Sequence, residues 1–300
     1  MQPVSERPSR ALVLGGGGSL GRAMHWGLTA GFLEAGIDLR DADLIIGTSA
    51  GAVVGAQLGL GADPRLSAPV VDASSMSTST PSPSARAAFG YLIAGCARAA
   101  VSTTPEEEWR SIGQMALAVE TVSEGVALSR ASLAAITGGQ WPANFRATAV
   151  NAYTGRFQLW SLESDVSLER AVASSSALPG VWPPITIADA RYIDGGVRSM
   201  LNADLAAGFG RVLVLSCFDL SLPAGAPHPT RVLNQALGRE IEQLRHGGSV
   251  VEVITPDEAF LTLSGHGTRM LDGSLVPQAY DIAKRLAADN IDRIRELWCV

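Results

Sequence analysis

Three short segments carry residue types that do chemistry together. Gly47-Thr48-Ser49-Ala50-Gly51 sets a serine between glycines two positions before and two positions after it. Such glycines relieve crowding in a sharp strand-to-helix turn and hold the hydroxyl exposed in a strained conformation. The helix N-terminus that follows favours negative charge on an alkoxide or oxyanion. Asp194-Gly195-Gly196 places a carboxylate before two glycines that free it to face another loop. A carboxylate with an ordinary pKa near ~3.9 is a weak base, so taking a serine proton requires an apolar, dehydrated setting. Gly16-Gly17-Gly18-Ser19-Leu20-Gly21 can turn its backbone N–H groups inward just before a helix, an arrangement that binds negative charge. Each segment alone has a plainer reading. Asp-Gly is a common turn, a glycine loop packs strand against helix, and G-x-G-x-x-G also fits a dinucleotide fingerprint. Together, an electrophilic loop, a serine on an elbow and a carboxylate are the parts of acyl transfer.

Positioning these residues needs strands that end in them. Ala11-Leu12-Val13-Leu14 is a buried strand running into the glycine loop, and Asp43-Leu44-Ile45-Ile46 is a second one ending at the serine elbow. Between them a helix from Arg22 presents Met24, Leu28 and Phe32 at four-residue spacing, with Gly36 placed to close it. Another helix covers 52–60. Strand, helix, strand, helix opens a parallel sheet with crossover helices. Further strands are expected at 145–150, 157–160, 191–193, 211–216 and 249–254, and amphipathic helices at 230–246 and 277–297. Thr104-Pro105-Glu106-Glu107 provides an N-cap, a proline at the first helical position and a glutamate at the third, so a helix starts there. The fold class is α/β: a three-layer α/β/α sandwich around a mostly parallel sheet, as one domain over 11–300 after a flexible tail at 1–10. Residues 72–84 are rich in Ser, Thr and Pro, and 72–103 reads as a lid or loop insertion. Within it Phe89, Tyr91, Leu92 and Ile93 cluster between arginines. A buried helix is the plain explanation, and a lipid-facing patch is the functional one.

Composition sets the outer bounds. Of 300 residues, 47% are hydrophobic and 17% charged, too apolar for disorder. The formal charge is −6, from 23 basic and 29 acidic residues, and Lys284 is the only lysine. That balance argues against a nucleic-acid partner. Cys96, Cys217 and Cys299 are widely spaced and odd in number, which gives neither a disulfide framework nor a zinc spacing and favours a reducing compartment. The polar stretch 1–10 lacks the apolar run of a secretion signal, and no run reaches membrane-spanning length. A cytoplasmic protein is expected, with peripheral membrane contact left open.

The sequence resembles the patatin-like phospholipases, serine acyl hydrolases with a Ser–Asp dyad. The resemblance rests on Gly16–Gly21, Gly47–Gly51 and Asp194–Gly196 in that order, with Ala177-Leu-Pro-Gly-Val-Trp-Pro-Pro184 similar to the family's proline-rich loop before the aspartate. It implies Ser49 as nucleophile, Asp194 as its base, and the N–H groups of Gly16, Gly17 and Gly18 as the oxyanion hole. Gly21, Gly47, Gly51, Gly195 and Gly196 support the motifs. It implies lipid acyl esters as substrates and requires neither a cofactor nor a metal. One departure concerns the residue before the last glycine of the first loop, often Arg in the family and here Leu20, with Arg22 following.

Three other readings compete. A Ser–His–Asp triad could join Ser49 and Asp219 to His228 or His246, but an α/β-hydrolase places several strands before its elbow. His246 fits a helix C-terminus, His266 a loop, and His25 packing near the glycine loop. A nucleotide-binding oxidoreductase would need an acidic residue at the end of the second strand, whereas Asp38 and Asp43 lie before it or at its start. A binding protein with a dead site would keep the same motifs without turnover.

Overall fold

The computed structural model describes residues 8–66, 83–220 and 228–299. Eight strands among them form one mixed sheet: β1 (Arg10–Leu14), β2 (Leu44–Gly47), β3 (Phe145–Asn151), β4 (Phe157–Trp160), β5 (Ile185–Ile187), β6 (Ala190–Asp194), β7 (Arg211–Leu215) and β8 (Val250–Ile254). The order is β5-β6-β3-β2-β1-β7-β8, with β4 also paired to β3. Pairings from β3 through β8 are parallel, and β4, β6 and β5 join antiparallel at the other end. The helices are α1 (Gly18–Glu34), α2 (Ala50–Gly59), α3 (Pro83–Ala99), α4 (Pro105–Ala118), α5 (Glu124–Leu128), α6 (Ala131–Ala134), α7 (Leu168–Ser175), α8 (His228–His246), α9 (Glu258–Leu263), α10 (Val276–Ala288) and α11 (Ile291–Cys299).

The two faces of β1 define the layers, because successive strand side chains point opposite ways. Leu12 and Leu14 join a core with Met24 and Leu28 of α1, Val54 of α2, Val172 of α7 and Ala283 of α10. Ala11 and Val13 face Leu237 and Ile241 of α8. A third cluster packs Leu92 of α3 and Trp109 and Ile112 of α4 onto Val150 and Ile193. This is an α/β/α sandwich. After β1 the chain builds outward through β2 and β3, then returns to place β7 on the free side of β1. That reversal of strand order falls between β1 and its neighbours β2 and β7, and the carboxyl edge at such a reversal is where folds of this kind bind ligands.

Several boundaries differ from expectation. Arg10, expected in the tail, opens β1, and its N–H donates to Asp43 at 2.8 Å. α1 begins at Gly18, inside the glycine loop, and ends as expected: Gly36 has φ 80°, and Ile37 N–H closes onto the Phe32 carbonyl at 2.8 Å. The expected 277–297 helix is two, α10 and α11. Asn290 lies between them and its carbonyl accepts the Ile294 N–H at 3.0 Å, starting the second. α4 starts at Pro105, but the Thr104 hydroxyl turns to the Glu107 carboxylate at 3.4 Å instead of capping the backbone. β5 has no counterpart among the expected strands. Of the expected insertion, 72–82 lies outside the described residues. From residue 83 it forms α3, in which Leu92, Ala97 and Ala99 are buried and Tyr91 is exposed, while the side chain of Phe89 lies outside the described residues.

Candidate active site

Strand register brings the serine and the aspartate together. Gly47 pairs with Ala147, and on the other side of β3 Asp194 pairs with Ala149. Ser49, two residues past Gly47, therefore lies level with Asp194. The antiparallel direction of β6 lets it end there. The Ser49 hydroxyl donates to Asp194 Oδ2 at 2.7 Å.

Ser49 sits at φ 54°, ψ −113°, between β2 and the first turn of α2. A non-glycine residue in that region stores roughly 1–3 kcal/mol and persists only when its surroundings hold it. Here the surroundings do so. Thr48 N–H donates to Leu14 O at 3.0 Å, Gly51 N–H to Gly15 O at 3.2 Å, and Ser49 N–H to Ser175 Oγ at 3.1 Å. Gly51 is the residue the turn cannot replace, because a Cβ there would overlap the Leu14 carbonyl oxygen.

Asp194 is 2% exposed. Its Oδ1 accepts the Gly196 N–H at 2.7 Å, and its own N–H donates to Ala177 O at 3.1 Å, at the start of the proline-rich loop. Burial pushes its pKa from 3.8 up to about 6, against the opposing pull of the Ser49 and Gly196 hydrogen bonds and the Arg130 charge. This is the dehydrated setting that base chemistry demands of a carboxylate. Gly195 lets β6 turn tightly beside Thr148, whose hydroxyl a Cβ would strike.

Beneath the elbow lies a buried polar network. Thr48 Oγ1 and Thr148 Oγ1 are 3.0 Å apart, and Asn202 Nδ2 donates to Thr48 Oγ1 at 3.0 Å and to Ser199 O at 2.6 Å. It ties the elbow to β3 and to the loop after Asp194.

The glycine loop differs in one respect from the sequence expectation. Gly16 N–H is committed to Met200 O at 2.8 Å, so it is no oxyanion donor in this arrangement. Gly17 and Gly18 N–H have no acceptor among the described residues. Gly18 opens α1 with φ 59°, so both amides lie at the positive end of that helix. Gly21 packs against Cys217, with its N–H on Gly17 O at 2.8 Å. Leu20, at the position where the resembled family often has arginine, is fully buried in the core, and Arg22 is buried as well.

None of the described histidine side chains hydrogen-bonds Ser49 or Asp194. His25 is buried against Gly15 O at 2.8 Å, exposed His246 contacts Glu242 O at 2.7 Å, and His266 lies in a turn at φ 50°. The triad therefore lacks its central member there, and the side chain of His228 lies outside the described residues. Asp38 is paired with Arg40 at 2.7 Å and Asp43 accepts the Arg10 N–H, so neither is placed as a ribose ligand.

Sequence reasoning missed four contributors: Ser175, Met200, Asn202 and Arg130. Arg130 is buried, stacks 4.4 Å from the Trp182 ring and donates to Ser176 Oγ at 3.1 Å. The run Ser174-Ser175-Ser176 ahead of the proline-rich loop was the one available signal.

Residues 12–207 match the family described as Patatin-like phospholipase. The chain belongs to the patatin-like phospholipase family. The matched span holds the glycine loop, the serine elbow and Asp194, and stops before β7. No curated protein matches the chain. Among solved structures it is similar to VipD from Legionella pneumophila, at 13% identity and a TM-score of 0.41 over 95% of this chain and 67% of that one. It is also similar to ExoU from the type III secretion system of Pseudomonas aeruginosa in complex with SpcU, at 19% identity and a TM-score of 0.37. That match covers 94% of this chain and 53% of the other, so the patatin-like chain spans about half of its length. No helix among the described residues is long and apolar enough to cross a membrane.

Proposed function

We propose that the chain hydrolyses lipid carboxylic esters through an acyl-enzyme on Ser49, with Asp194 as the base. The observation that carries this reading is the 2.7 Å hydrogen bond from the Ser49 hydroxyl to a buried carboxylate. With its pKa raised from 3.8 to about 6, Asp194 holds a proton roughly a hundredfold more tightly than an ordinary aspartate and is still mostly ionised at pH 7.

The cycle has two halves. Ser49 Oγ attacks the ester carbonyl as its proton passes to Asp194 Oδ2. The negative charge that develops on the carbonyl oxygen is met by the Gly17 and Gly18 amides and the N-terminus of α1. As the carbonyl reforms, the C–O bond to the alcohol breaks, and Asp194 returns the proton to the departing oxygen. Water then enters, gives a proton to Asp194 and attacks the acyl carbon. The fatty acid leaves, and the proton returns to Ser49 Oγ. Losing one oxyanion donor costs about 10²–10³ in rate, so the two free amides carry a large part of the barrier reduction.

Family membership supports lipid acyl esters as the substrate class. The proposed setting is a cytoplasmic enzyme meeting its lipid by peripheral contact. Unpaired Cys96, Cys217 and Cys299 are in keeping with a reducing compartment. The test is covalent labelling by a fluorophosphonate probe in wild type, Ser49→Ala and Asp194→Asn. The expected result is labelling that vanishes in Ser49→Ala and is strongly reduced in Asp194→Asn. A folded wild type that takes no label refutes the reading.

A further inference from the structure

We infer, on the strength of the acyl-transfer reading above, that His25 is a positioning residue. It fixes the Gly15–Gly16 peptide and thereby aims the free Gly17 and Gly18 amides at the oxyanion. His25 lies on α1 behind the glycine loop, fully buried, with Nε2 2.8 Å from Gly15 O. A carbonyl oxygen only accepts, so Nε2 carries the proton and the ring is the Nε2–H tautomer. Burial lowers its pKa from 6.5 to about 4, which keeps the ring neutral at physiological pH. Nδ1 is then a bare acceptor, and it is buried with no hydrogen-bond partner. A hydrocarbon side chain would fill this space without an orphaned atom. What the imidazole adds is the hydrogen bond to Gly15.

Gly15 O is a junction. It also accepts the N–H of Gly51, the glycine that closes the serine elbow, at 3.2 Å. The N–H at the other end of the same peptide, on Gly16, donates to Met200 O at 2.8 Å, in the loop after Asp194. One peptide unit is thus gripped by α1, by the serine's turn and by the aspartate's loop. Cys217 backs the next residue: a Cβ on Gly17 would come within 2.6 Å of Cys217 Cβ, and Cys217 Sγ lies 3.4 Å from His25 Nε2. Glycine stands on both sides of the gripped peptide, so backbone preference alone does not stop its plane from rotating. Hydrogen bonds must do so, and His25 makes the shorter of the two that reach Gly15 O. Rotation of this plane would re-aim the amides that follow. His25 makes no hydrogen bond to Ser49 or Asp194, so its action runs through the loop.

The test compares wild type, His25→Phe and His25→Gln. The phenylalanine keeps the packing without the donor, and the glutamine amide can restore it. On a short soluble ester, His25→Phe is expected to lower kcat by about 10–100-fold while KM changes less than about twofold, with His25→Gln recovering most of the loss. The distinguishing readout is the matched thionoester, whose sulfur accepts hydrogen bonds weakly. Wild type should strongly prefer the oxygen ester, and the preference should collapse in His25→Phe and return in His25→Gln. If His25→Phe does not fold, His25→Asn, whose shorter amide cannot reach Gly15 O, replaces it. Histidine ¹⁵N NMR reads the tautomer directly, and an Nδ1–H ring overturns the inference whatever the activity. Unchanged kcat and ester preference in a folded donorless variant overturn it too, as does equal loss in both variants with the preference intact. A wild type that fluorophosphonate labels at Ser49 ties those outcomes to His25 alone. An unlabelled, folded wild type overturns the acyl-transfer reading and this inference with it.

Discussion

Replacing Asp194 by asparagine should make the protein more stable while removing its activity. Burial raises the carboxyl pKa from 3.8 to about 6, so the folded protein resists ionising this group. A raised acid pKa contributes stability that is fully present below 3.8 and is lost as pH rises through about 6. Above neutrality the ionised side chain therefore costs up to about 3 kcal/mol relative to a neutral isostere. Asparagine fits that role: its Oδ1 can accept the Gly196 N–H, and its Nδ2 can donate to Ser49 Oγ. Integrating the linkage, the stability gap between Asp194→Asn and wild type should be about half as large at pH 5 as at pH 8, where it reaches about 3 kcal/mol. For 300 residues the larger figure corresponds to about 5 °C in Tm. Hydrolysis should fall at least about 100-fold in the same variant. Thermal melts at the two pH values, followed by tryptophan fluorescence, measure the gap. A gap that does not widen from pH 5 to pH 8, or a variant less stable than wild type at pH 8, refutes the picture of a destabilised buried carboxylate.

Four further outcomes follow from the same geometry. With a soluble ester, kcat/KM should rise with pH through about 6 and level off above it, as Asp194 ionises. A rise centred well above 7 would speak for a different base. Gly51→Ala should cost more than about 3 kcal/mol, because its Cβ meets the backbone oxygen of Leu14, whereas Gly16→Ala meets the mobile end of Met200 and should stay folded; melting curves decide between them. Leu20→Arg should lower Tm without raising activity, since residue 20 is enclosed in apolar core; a more active, equally stable variant would contradict this. Asn202→Leu should cost about 2–4 kcal/mol by urea denaturation, because it removes the donor to Thr48 Oγ1 and Ser199 O and the acceptor of the Arg198 guanidinium beneath the elbow.

The Ser49 elbow and the Asp194 turn were legible because tight backbone turns leave local marks. Gly47 and Gly51 flank Ser49 for steric reasons, and Gly195 follows Asp194 because Thr148 lies against it. β1 and β2 were legible as apolar runs stopped by glycine. β5 was not: it has three residues, follows two prolines and gains its pairing from β6, which no local pattern announces. The break between α10 and α11 hid because the apolar period runs on through Asp289 and Asn290 while the backbone does not. The committed state of the Gly16 amide was illegible for the same kind of reason. Its acceptor is the carbonyl of Met200, about 180 residues away, and a carbonyl leaves no trace in side-chain identity.

The place of β1 in the sheet also sets a timetable. This strand is made before the other seven described ones, gains β2 within a few dozen residues, and then waits about 200 residues for β7, or about 10–40 s at ordinary rates of synthesis. Throughout that interval the Ala-Leu-Val-Leu run, fully buried in the finished protein, has one edge open to any other strand. The nascent chain holds Ser49 early and Asp194 late, and the sheet centre closes only once β7 emerges. Losing the final third would therefore expose the middle of the sheet, and the truncated product would aggregate although every motif residue is present.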